Sequence, residues 1–265
     1  MVGYLTEVRN KSPLIYNITG EVSAHFIANG LIAIGASPSV SSNPKEAKEM
    51  ANHADAVVLN TGSLSEDRAE AMLLAGKVAN EKGIPVILDP VAVGATSFRT
   101  SVINEILTTI KIAAICGNTG EISVLGGASE KTISPDNILS ENNPSIVRKV
   151  ANKYESIVIA TSKTDIVTDG KKVTYCQNGD VMLQNITASG CLLTSIIGAF
   201  TSIAGDNQYE AIVEAVSAYG IAGERAKRIA KGPGTFIPNF LDELYLLKSE
   251  TIKLQSHLKE RSSFI

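Results

Sequence analysis

Residues 56–89 have the sequence AVVLNTGSLSEDRAEAMLLAGKVANEKGIPVILD, and this stretch contains the pattern that determines the fold. Short apolar runs at 56–60 and 85–89 flank residues 66–82, where apolar and charged side chains recur at helical spacing. A strand, a helix of this length and a second strand form the crossover unit that joins parallel strands of one sheet. The stretch therefore predicts an α/β fold.

The same alternation continues on both sides of this unit. It predicts further strands at 14–18, 113–116 and 156–160, and further helices at 22–34, 44–51, 100–109 and 144–154. Residues 165–176 predict a hairpin of two short strands joined by Asp169-Gly170, a turn-forming dipeptide. Beyond residue 190 the pattern becomes mainly helical, with helices predicted at 191–203, 209–231 and 238–249.

No repeat or linker divides the chain, and the polar stretch 126–143 is interpreted as a surface loop. We therefore predict one domain covering residues 1–265. Its expected architecture is a layered α/β fold with a central, mostly parallel sheet flanked by helices.

The composition excludes several classes of protein. The chain has 265 residues, of which 44% are hydrophobic and 19% charged, and its formal net charge is −3. This is typical of a soluble globular protein, and it offers a nucleic acid no basic surface. The N-terminal residues lack the apolar core of a signal peptide, and no apolar run is long enough to span a membrane. We expect a cytoplasmic protein without nucleic-acid or membrane partners.

The three cysteines, Cys116, Cys176 and Cys191, are odd in number and widely spaced. This spacing fits neither a disulfide framework nor a C-x-x-C metal site. We therefore expect reduced thiols.

Residues 185–191, Asn-Ile-Thr-Ala-Ser-Gly-Cys, precede a predicted helix of small apolar residues. Small side chains at a helix entrance let the backbone approach a ligand, and the first-turn N–H groups can bind an anion. An ordinary helix start, with Thr187 or Ser189 as N-cap and Gly190 allowing tight packing, explains the same residues. The spacing alone leaves both interpretations open.

Carboxylate and amide side chains lie at or just after the ends of two predicted strands. Asp89 ends the strand at 85–89, and Asn118 and Glu121 follow the strand at 113–116. Ligands gather at the carboxyl ends of strands in open α/β sheets, and an amide and a carboxylate three residues apart on a helix can orient hydrated magnesium. The alternatives are an Asp-Pro turn at Asp89 and a capping box from Asn118 to Glu121. The capping box is compatible with metal binding.

Two polar turns, Asn60-Thr61-Gly62 and Thr161-Ser162, follow other predicted strands. Each turn either donates hydrogen bonds to ligand oxygens or is ordinary turn chemistry. The chain contains neither G-x-x-x-x-G-K-[ST] nor G-x-G-x-x-G after a strand, which weighs against P-loop and Rossmann dinucleotide sites.

Taken in order, these segments resemble the hydroxyethylthiazole kinase family of the ribokinase-like superfamily. The matching pieces are PLIYNIT (13–19), ANGLIAIGASP (28–38), ADAVVLNTGSL (54–64), IPVILDPVAVGATSFR (84–99), GNTGEI (117–122), TASGC (187–191) and GPGTF (232–236). Their joint appearance in one order favours the functional interpretation of each.

The resemblance implies a ribokinase-like fold and a specific reaction. The γ-phosphoryl group of ATP would pass to the primary alcohol of 4-methyl-5-(2-hydroxyethyl)thiazole in thiamine salvage, with Mg²⁺ as the metal. A homotrimer with active sites at subunit interfaces is also implied.

The resemblance further implies roles for individual residues. The backbone amides around Ala188, Ser189, Gly190 and Cys191 would hold the transferring phosphoryl group, and Cys191 would position the alcohol with modest assistance as a base. The remaining implied residues are Asp89 and Glu121 for the metal, Cys116, Asn118, Thr161 and Ser162 for the nucleotide, and Asn17, Val40 and Gly190 for the substrate.

Several positions depart from the family pattern. Cys116 stands where relatives usually carry an arginine that contacts ATP, Val40 where the thiazole pocket usually has methionine, and Ala188-Ser189 where Gly-Thr is usual. Losing a guanidinium removes a charge-assisted phosphate contact of about 1.5 to 3 kcal/mol, which predicts weaker nucleotide binding. Related sugar and vitamin kinases usually have an aspartate base at the position of Cys191.

Two alternatives remain open from the sequence. One is a kinase for another small heterocyclic alcohol, such as a hydroxymethylpyrimidine. The other is a catalytically weak relative that binds a thiazole or a nucleotide as a sensor.

Overall fold

The computed structural model of the chain describes residues 3–128 and 143–261. The surface loop predicted at 126–143 therefore lies largely outside the described residues. Across the described part of the chain, no helix is long and apolar enough to cross a membrane.

Nine strands of the described residues form one sheet in the order β2-β1-β3-β4-β5-β6-β7-β8-β9. They are β1 (Leu14–Ile18), β2 (Ser37–Val40), β3 (Ala56–Asn60), β4 (Val86–Asp89), β5 (Ala114–Asn118), β6 (Ile157–Thr161), β7 (Asp165–Thr168), β8 (Val173–Cys176) and β9 (Leu258–Arg261). Strands β1 to β6 are parallel, and β7, β8 and β9 add antiparallel pairs. The carboxyl ends of the six parallel strands therefore lie along one edge of the sheet.

Helices cover both faces of this sheet. They are α1 (Tyr4–Lys11), α2 (Glu21–Ile34), α3 (Pro44–His53), α4 (Glu66–Lys82), α5 (Ser97–Thr109), α6 (Thr119–Leu125), α7 (Pro144–Tyr154), α8 (Ser189–Ser202), α9 (Gln208–Ile229), α10 (Pro233–Leu246) and α11 (Ser249–Gln255). One apolar core lies between the sheet and α1, α2 and α8 to α11, and a second lies between the sheet and α3 to α7. The predicted layered α/β architecture is confirmed.

Helix α4 of the crossover unit has the predicted bounds because both of its ends are chemically marked. Ser65 is the N-cap of α4, where its side chain accepts a hydrogen bond from the Arg68 N–H group. At the other end Gly83 has a φ of 70°, a left-handed conformation that suits glycine at a helix C-cap. All five residues of β3 are buried, as expected for a parallel strand covered on both faces.

The predicted hairpin is also confirmed. Strands β7 and β8 pair antiparallel, and Gly170 in their turn has a φ of 89°. The other predicted strands and helices are present with ends shifted by a few residues. The largest shift is in α10, which begins at Pro233 rather than Pro238, because Pro233 occupies the first helical turn where proline is well tolerated.

Some elements were not predicted. The sheet edges β2 and β9 have the sequences SPSV and LKER, which lack the apolar runs of a buried strand. The N-cap residue of helix α1 makes no side-chain cap hydrogen bond. Instead, the Leu5 N–H donates at 3.0 Å to Oε1 of Glu214, a residue that is distant in the sequence. Such elements depend on tertiary contacts that local sequence does not display.

Candidate phosphoryl-transfer site

The polar residues predicted to bind ligands lie along the carboxyl edge of the parallel strands, often as direct partners on adjacent strands. Asn60 pairs with Asp89 across β3 and β4, and Asn118 pairs with Thr161 across β5 and β6. Residues that the sequence separates by tens of positions are thus brought side by side. The edge is where an open α/β sheet binds its ligands.

Asp89 lies at the centre of this edge and is only 5% exposed. Its Oδ2 accepts hydrogen bonds from Asn60 Nδ2 at 2.6 Å and from Thr194 Oγ1 at 3.3 Å. Burial raises the pKa of Asp89 to about 8, and the negative charge of Glu121 adds to this effect. Asp89 is therefore held in a fixed orientation, and its surroundings disfavour the ionised form of the carboxyl group.

Glu121 and Asn118 form the capping box at the start of α6. Glu121 Oε2 accepts from the Asn118 N–H at 2.8 Å, and Asn118 Oδ1 accepts from the Glu121 N–H at 2.9 Å. Glu121 Oε1 also accepts from the Ala92 N–H at 2.9 Å. The alternative of a capping box is thus realised, and the same bonds fix the carboxylate beside the turn that follows Asp89.

The turn after β4 is held in an unusual shape from two sides. Ala92 has a φ of 54°, which is uncommon for a residue other than glycine. Arg99 Nη1 donates to Val91 O at 3.1 Å and also to Thr61 O, so it ties the exits of β4 and β3 together. Burial raises the pKa of Glu121, and it outweighs the hydrogen bonds from the Ala92 and Asn118 N–H groups and the positive charge of Arg99, which act to lower it. Arg99 thus holds the turn from one side and Glu121 from the other.

These carboxylates fit a divalent cation that prefers oxygen ligands. The repulsion that raises the pKa of Asp89 comes partly from Glu121, so a positive ion between them would relieve it. Within residues 3–128 and 143–261 no group of three or more His, Cys, Asp or Glu side chains forms a metal cage. Two carboxylates are compatible with a magnesium ion, which usually keeps several waters.

The start of α8 lies next to Asp89. Ala188, the N-cap, has a φ of 65° and no side-chain cap hydrogen bond. Leu192 is the first residue to donate back to the helix start, with its N–H at 3.0 Å from Ala188 O. The N–H groups of Gly190 and Cys191 come before it in the first turn, where a helix offers no acceptor of its own.

Gly190 leaves this start open, because a Cβ atom built there would meet nothing within 4 Å. The open position and the first-turn amides together form a surface that can receive an anionic oxygen. Thr194 Oγ1, which donates to Asp89, also lies 3.1 Å from Gly190 O. One side chain therefore contacts both Asp89 and the backbone at the start of α8.

The thiol of Cys191 stays protonated in this environment. Burial, followed by the negative charge of Asp89, raises its pKa to about 12. The thiol also forms a hydrogen bond with Asp89. A lowered pKa, which a helix N-terminus alone would favour, is therefore not found here.

Thr161 and Ser162 lie where β6 ends. Thr161 Oγ1 donates to Gly117 O at 3.3 Å, and Ser162 Oγ donates to Thr164 O at 2.8 Å. The Ser162 N–H donates to Asp165 Oδ1 at 2.8 Å, and burial raises the pKa of Asp165 to about 7. This turn flanks Asn118 on the side of the edge away from Asn60.

Of the other residues singled out by the sequence, Cys116, Asn17 and Ser189 are buried and Val40 is exposed. Cys116 is 2% exposed and lies in the core beneath the edge, so it presents no polar atom to solvent. Asn17 is fully buried and accepts a hydrogen bond from Ser195 Oγ at 2.8 Å. Ser189 is 9% exposed, and its hydroxyl contacts Tyr219. Val40, at the end of the edge strand β2, is 37% exposed.

Sequence reasoning missed Thr194 and Arg99 and left Asn60 undecided. Thr194 sits inside an apolar helix, and only its position one turn after Gly190 hints that it faces the same site. The signal for Asn60 is its place directly after a strand adjacent to the strand of Asp89, which becomes visible only once the strand order is known.

The fold defines the class of structure to which the chain belongs. It is a layered α/β fold in which a mostly parallel sheet carries an acidic strand end beside an open helix start. A ribokinase-like superfamily protein of known structure from Enterococcus faecalis shares the fold, with a TM-score of 0.62 at 11% identity, covering 87% of this chain and 86% of that one.

The particular family follows from closer comparisons. The model of the hydroxyethylthiazole kinase family matches residues 5–250. A protein described as hydroxyethylthiazole kinase 2 of Oceanobacillus iheyensis is 55% identical over 260 residues, covering 98% of this chain and all of that protein. The structure of a hydroxyethylthiazole kinase from Pyrococcus horikoshii superposes with a TM-score of 0.89 at 35% identity, covering 98% of both chains. The chain belongs to the hydroxyethylthiazole kinase family, and the predicted resemblance is confirmed.

Proposed function

We propose that this chain transfers the γ-phosphoryl group of ATP to the primary alcohol of 4-methyl-5-(2-hydroxyethyl)thiazole. The observation that carries the proposal is the open start of α8 beside the oriented carboxylate of Asp89. Membership of the family, with relatives matched along nearly their whole length, supports the thiazole alcohol as the acceptor.

When bound, ATP would supply the phosphoryl group, and magnesium would supply positive charge beside its phosphates. Phosphoryl transfer needs mainly positioning and charge stabilisation from the protein, and the N–H groups of Gly190 and Cys191 provide donors where negative charge develops. Asp89 and Glu121 would hold the metal through oxygen atoms and water. Arg99 contributes the nearby positive charge and keeps the turn that carries Ala92 in place.

The acceptor alcohol is positioned next to Cys191 rather than deprotonated by a thiolate. A thiol whose pKa is about 12 is neutral at physiological pH, so it can donate to Asp89 and contact the alcohol without repelling phosphate. Val40 and Gly190 line the acceptor side in this proposal. Asn17 acts there through Ser195 of α8, because its own side chain is buried.

The nucleotide lies towards β5 and β6 in this proposal. Asn118, Thr161 and Ser162 border it at the adjoining strand ends. Cys116 contributes no guanidinium and only packing, which predicts weaker ATP binding than an arginine at that position gives.

The proposal also covers the cellular location, the domain organisation and the oligomeric state. We place the enzyme in the cytoplasm as one domain, and we propose a homotrimer in which the exposed residues of the first third, among them Val22, Ile32 and Val40, approach a neighbouring subunit. Light scattering that gives the mass of a monomer would exclude the trimer.

An assay of ADP release with different acceptors tests the proposed function. We expect ATP-dependent turnover with the thiazole alcohol that exceeds the turnover with a hydroxymethylpyrimidine and the background without acceptor. Preference for the pyrimidine would instead identify a kinase of another heterocyclic alcohol. Background turnover alone, combined with calorimetric binding of the thiazole, would indicate a sensor.

A further inference from the structure

Tyr219 of α9 reaches the first residue of α8. Its hydroxyl donates to Ser189 O at 2.7 Å, and Ser189 Oγ lies 3.0 Å from the same hydroxyl. A phenol has one proton to donate, so the hydroxyl must accept from Ser189 Oγ. Ser189 is therefore held through both its main chain and its side chain by a residue of a different helix.

The helix start that Tyr219 holds is strained. Ala188 adopts a left-handed conformation with a φ of 65° and a ψ of 12°, which is unfavourable for a residue with a Cβ atom. Helix starts are usually fixed by a Ser, Thr, Asp or Asn side chain at the N-cap, and Ala188 has none. Such strain persists only where the surroundings impose it.

Tyr219 is well placed to impose this conformation because its ring is fixed. It is 3% exposed, and it packs edge-on against Phe240 with ring centroids 5.0 Å apart. Phe240 in turn stacks on Phe236 at 5.7 Å. The phenol is thus anchored in the core that joins α9 and α10 while its hydroxyl reaches α8.

We infer that Tyr219 is a positioning residue for phosphoryl transfer, which holds Ser189 and the strained Ala188 so that the amides of Gly190 and Cys191 face the transferring group. The inference rests on the proposed function for its catalytic consequence. Its structural part, the hold on the start of α8, concerns the protein alone and can be tested separately.

The kinetic test compares Tyr219→Phe in two backgrounds. In the native background we expect kcat to fall about tenfold, because both hydrogen bonds to Ser189 are lost, with the KM for the thiazole alcohol unchanged. In an Ala188→Gly background glycine adopts the left-handed conformation without strain, so the same change should lower kcat by no more than about threefold. An equal loss in both backgrounds, or no loss in either, overturns the inference.

Tyr209→Phe is the matched control, because Tyr209 lies on the same helix and its hydroxyl also forms two hydrogen bonds, to Thr174 and to Val167 O. These bonds stabilise the β7 and β8 strands away from the start of α8. We expect this variant to keep the native kcat.

Amide hydrogen exchange separates this inference from the proposed function. The Leu192 N–H bonds to Ala188 O at 3.0 Å, so its exchange reports directly on the helix start without any substrate. Tyr219→Phe should speed its exchange about tenfold, and Tyr209→Phe should leave it unchanged. Unchanged exchange in Tyr219→Phe overturns the inference even if the kinase is active, and faster exchange supports it even if the chain phosphorylates another acceptor.

Discussion

Asn60 Nδ2 donates a hydrogen bond to Asp89 Oδ2 at 2.6 Å, across two neighbouring strands of the sheet. The direction of the Asn60 amide is fixed because its Oδ1 accepts from the Gly62 N–H at 3.0 Å. A Cβ atom at residue 62 would also approach that oxygen to 2.8 Å, which explains the glycine. The turn after β3 therefore holds a donor towards the acid at the end of β4.

Replacing Asn60 by alanine should lower turnover without unfolding the protein. Asp89 would lose one of its donors, and we expect kcat to fall about 10- to 100-fold, corresponding to roughly 1.4–2.7 kcal/mol, with less than a threefold change in the KM for the thiazole alcohol. Steady-state kinetics measures both constants. A rise in KM at constant kcat would show that Asn60 binds substrate instead.

Asn80→Ala is the control for this variant. Asn80 also makes two side-chain hydrogen bonds, donating to Lys111 O at 3.0 Å and accepting from the Lys111 N–H at 2.7 Å. It lies in the last turn of α4, near the amino ends of the strands, far from the proposed chemistry. Its loss should reduce stability without reducing kcat.

Substitutions of Cys191 should separate positioning from base catalysis. Since the half-buried thiol is protonated, Cys191→Ser should keep most of the native kcat, because a hydroxyl can also donate to Asp89. Cys191→Asp should keep substantial activity too, because related kinases place a carboxylate at this position. Loss of turnover in both variants, with circular dichroism showing intact folding, would contradict a positioning role.

Ala188→Gly should stabilise the protein by about 0.5–1 kcal/mol. Glycine removes the cost of a left-handed backbone, although it also raises the entropy of the unfolded chain. Chemical denaturation measures the change. Ser12→Gly is a useful comparison, because Ser12 has a φ of 45° at the end of α1 and should give a similar gain without affecting kcat. A loss of stability in Ala188→Gly would mean that the left-handed conformation carries no strain.

The stability of the protein should depend on pH through Asp165. Burial raises its pKa from 3.8 to about 7, so the folded state binds this proton more tightly than the unfolded state. The stability that the folded state gains from binding this proton more tightly is fully present below about pH 4 and is lost as the pH rises to about 7. Native protein should therefore lose stability relative to Asp165→Asn between these values.

Denaturation of both proteins at several pH values measures this difference. Asparagine keeps an oxygen that can accept the Ser162 N–H, so the turn stays intact and only the titration is removed. The two proteins should differ least near pH 4. A difference that is constant with pH would contradict the assignment.

The sequence predicts the α/β class well because its parallel strands are continuous apolar runs and its helices carry local caps. Ser65 and Gly83 mark α4 so clearly that its bounds are predicted to the residue. The edge strands β2 and β9 were missed because their residues are polar, and they join the sheet only through backbone pairing.

The candidate site could be predicted only in part, for a related reason. Asp89, Glu121 and the start of α8 carry local signals, namely strand ends and a helix entrance. Thr194 and Tyr219 do not, because each acts on a partner that the fold brings close: Asp89 for Thr194 and Ser189 for Tyr219. The raised pKa of Cys191 was likewise unforeseen, since it depends mainly on burial and on the charge of Asp89.

Transfer of label from [γ-³²P]ATP tests the central claim most directly. In the presence of magnesium and the thiazole alcohol, the native protein should place the label on the hydroxyethyl oxygen of the thiazole, identified by chromatography against the authentic phosphate. Asp89→Asn should reduce this transfer by about 100-fold or more, because the oriented carboxylate is lost while the fold is kept. Label that remains in ATP, or that appears only as inorganic phosphate, would contradict the account.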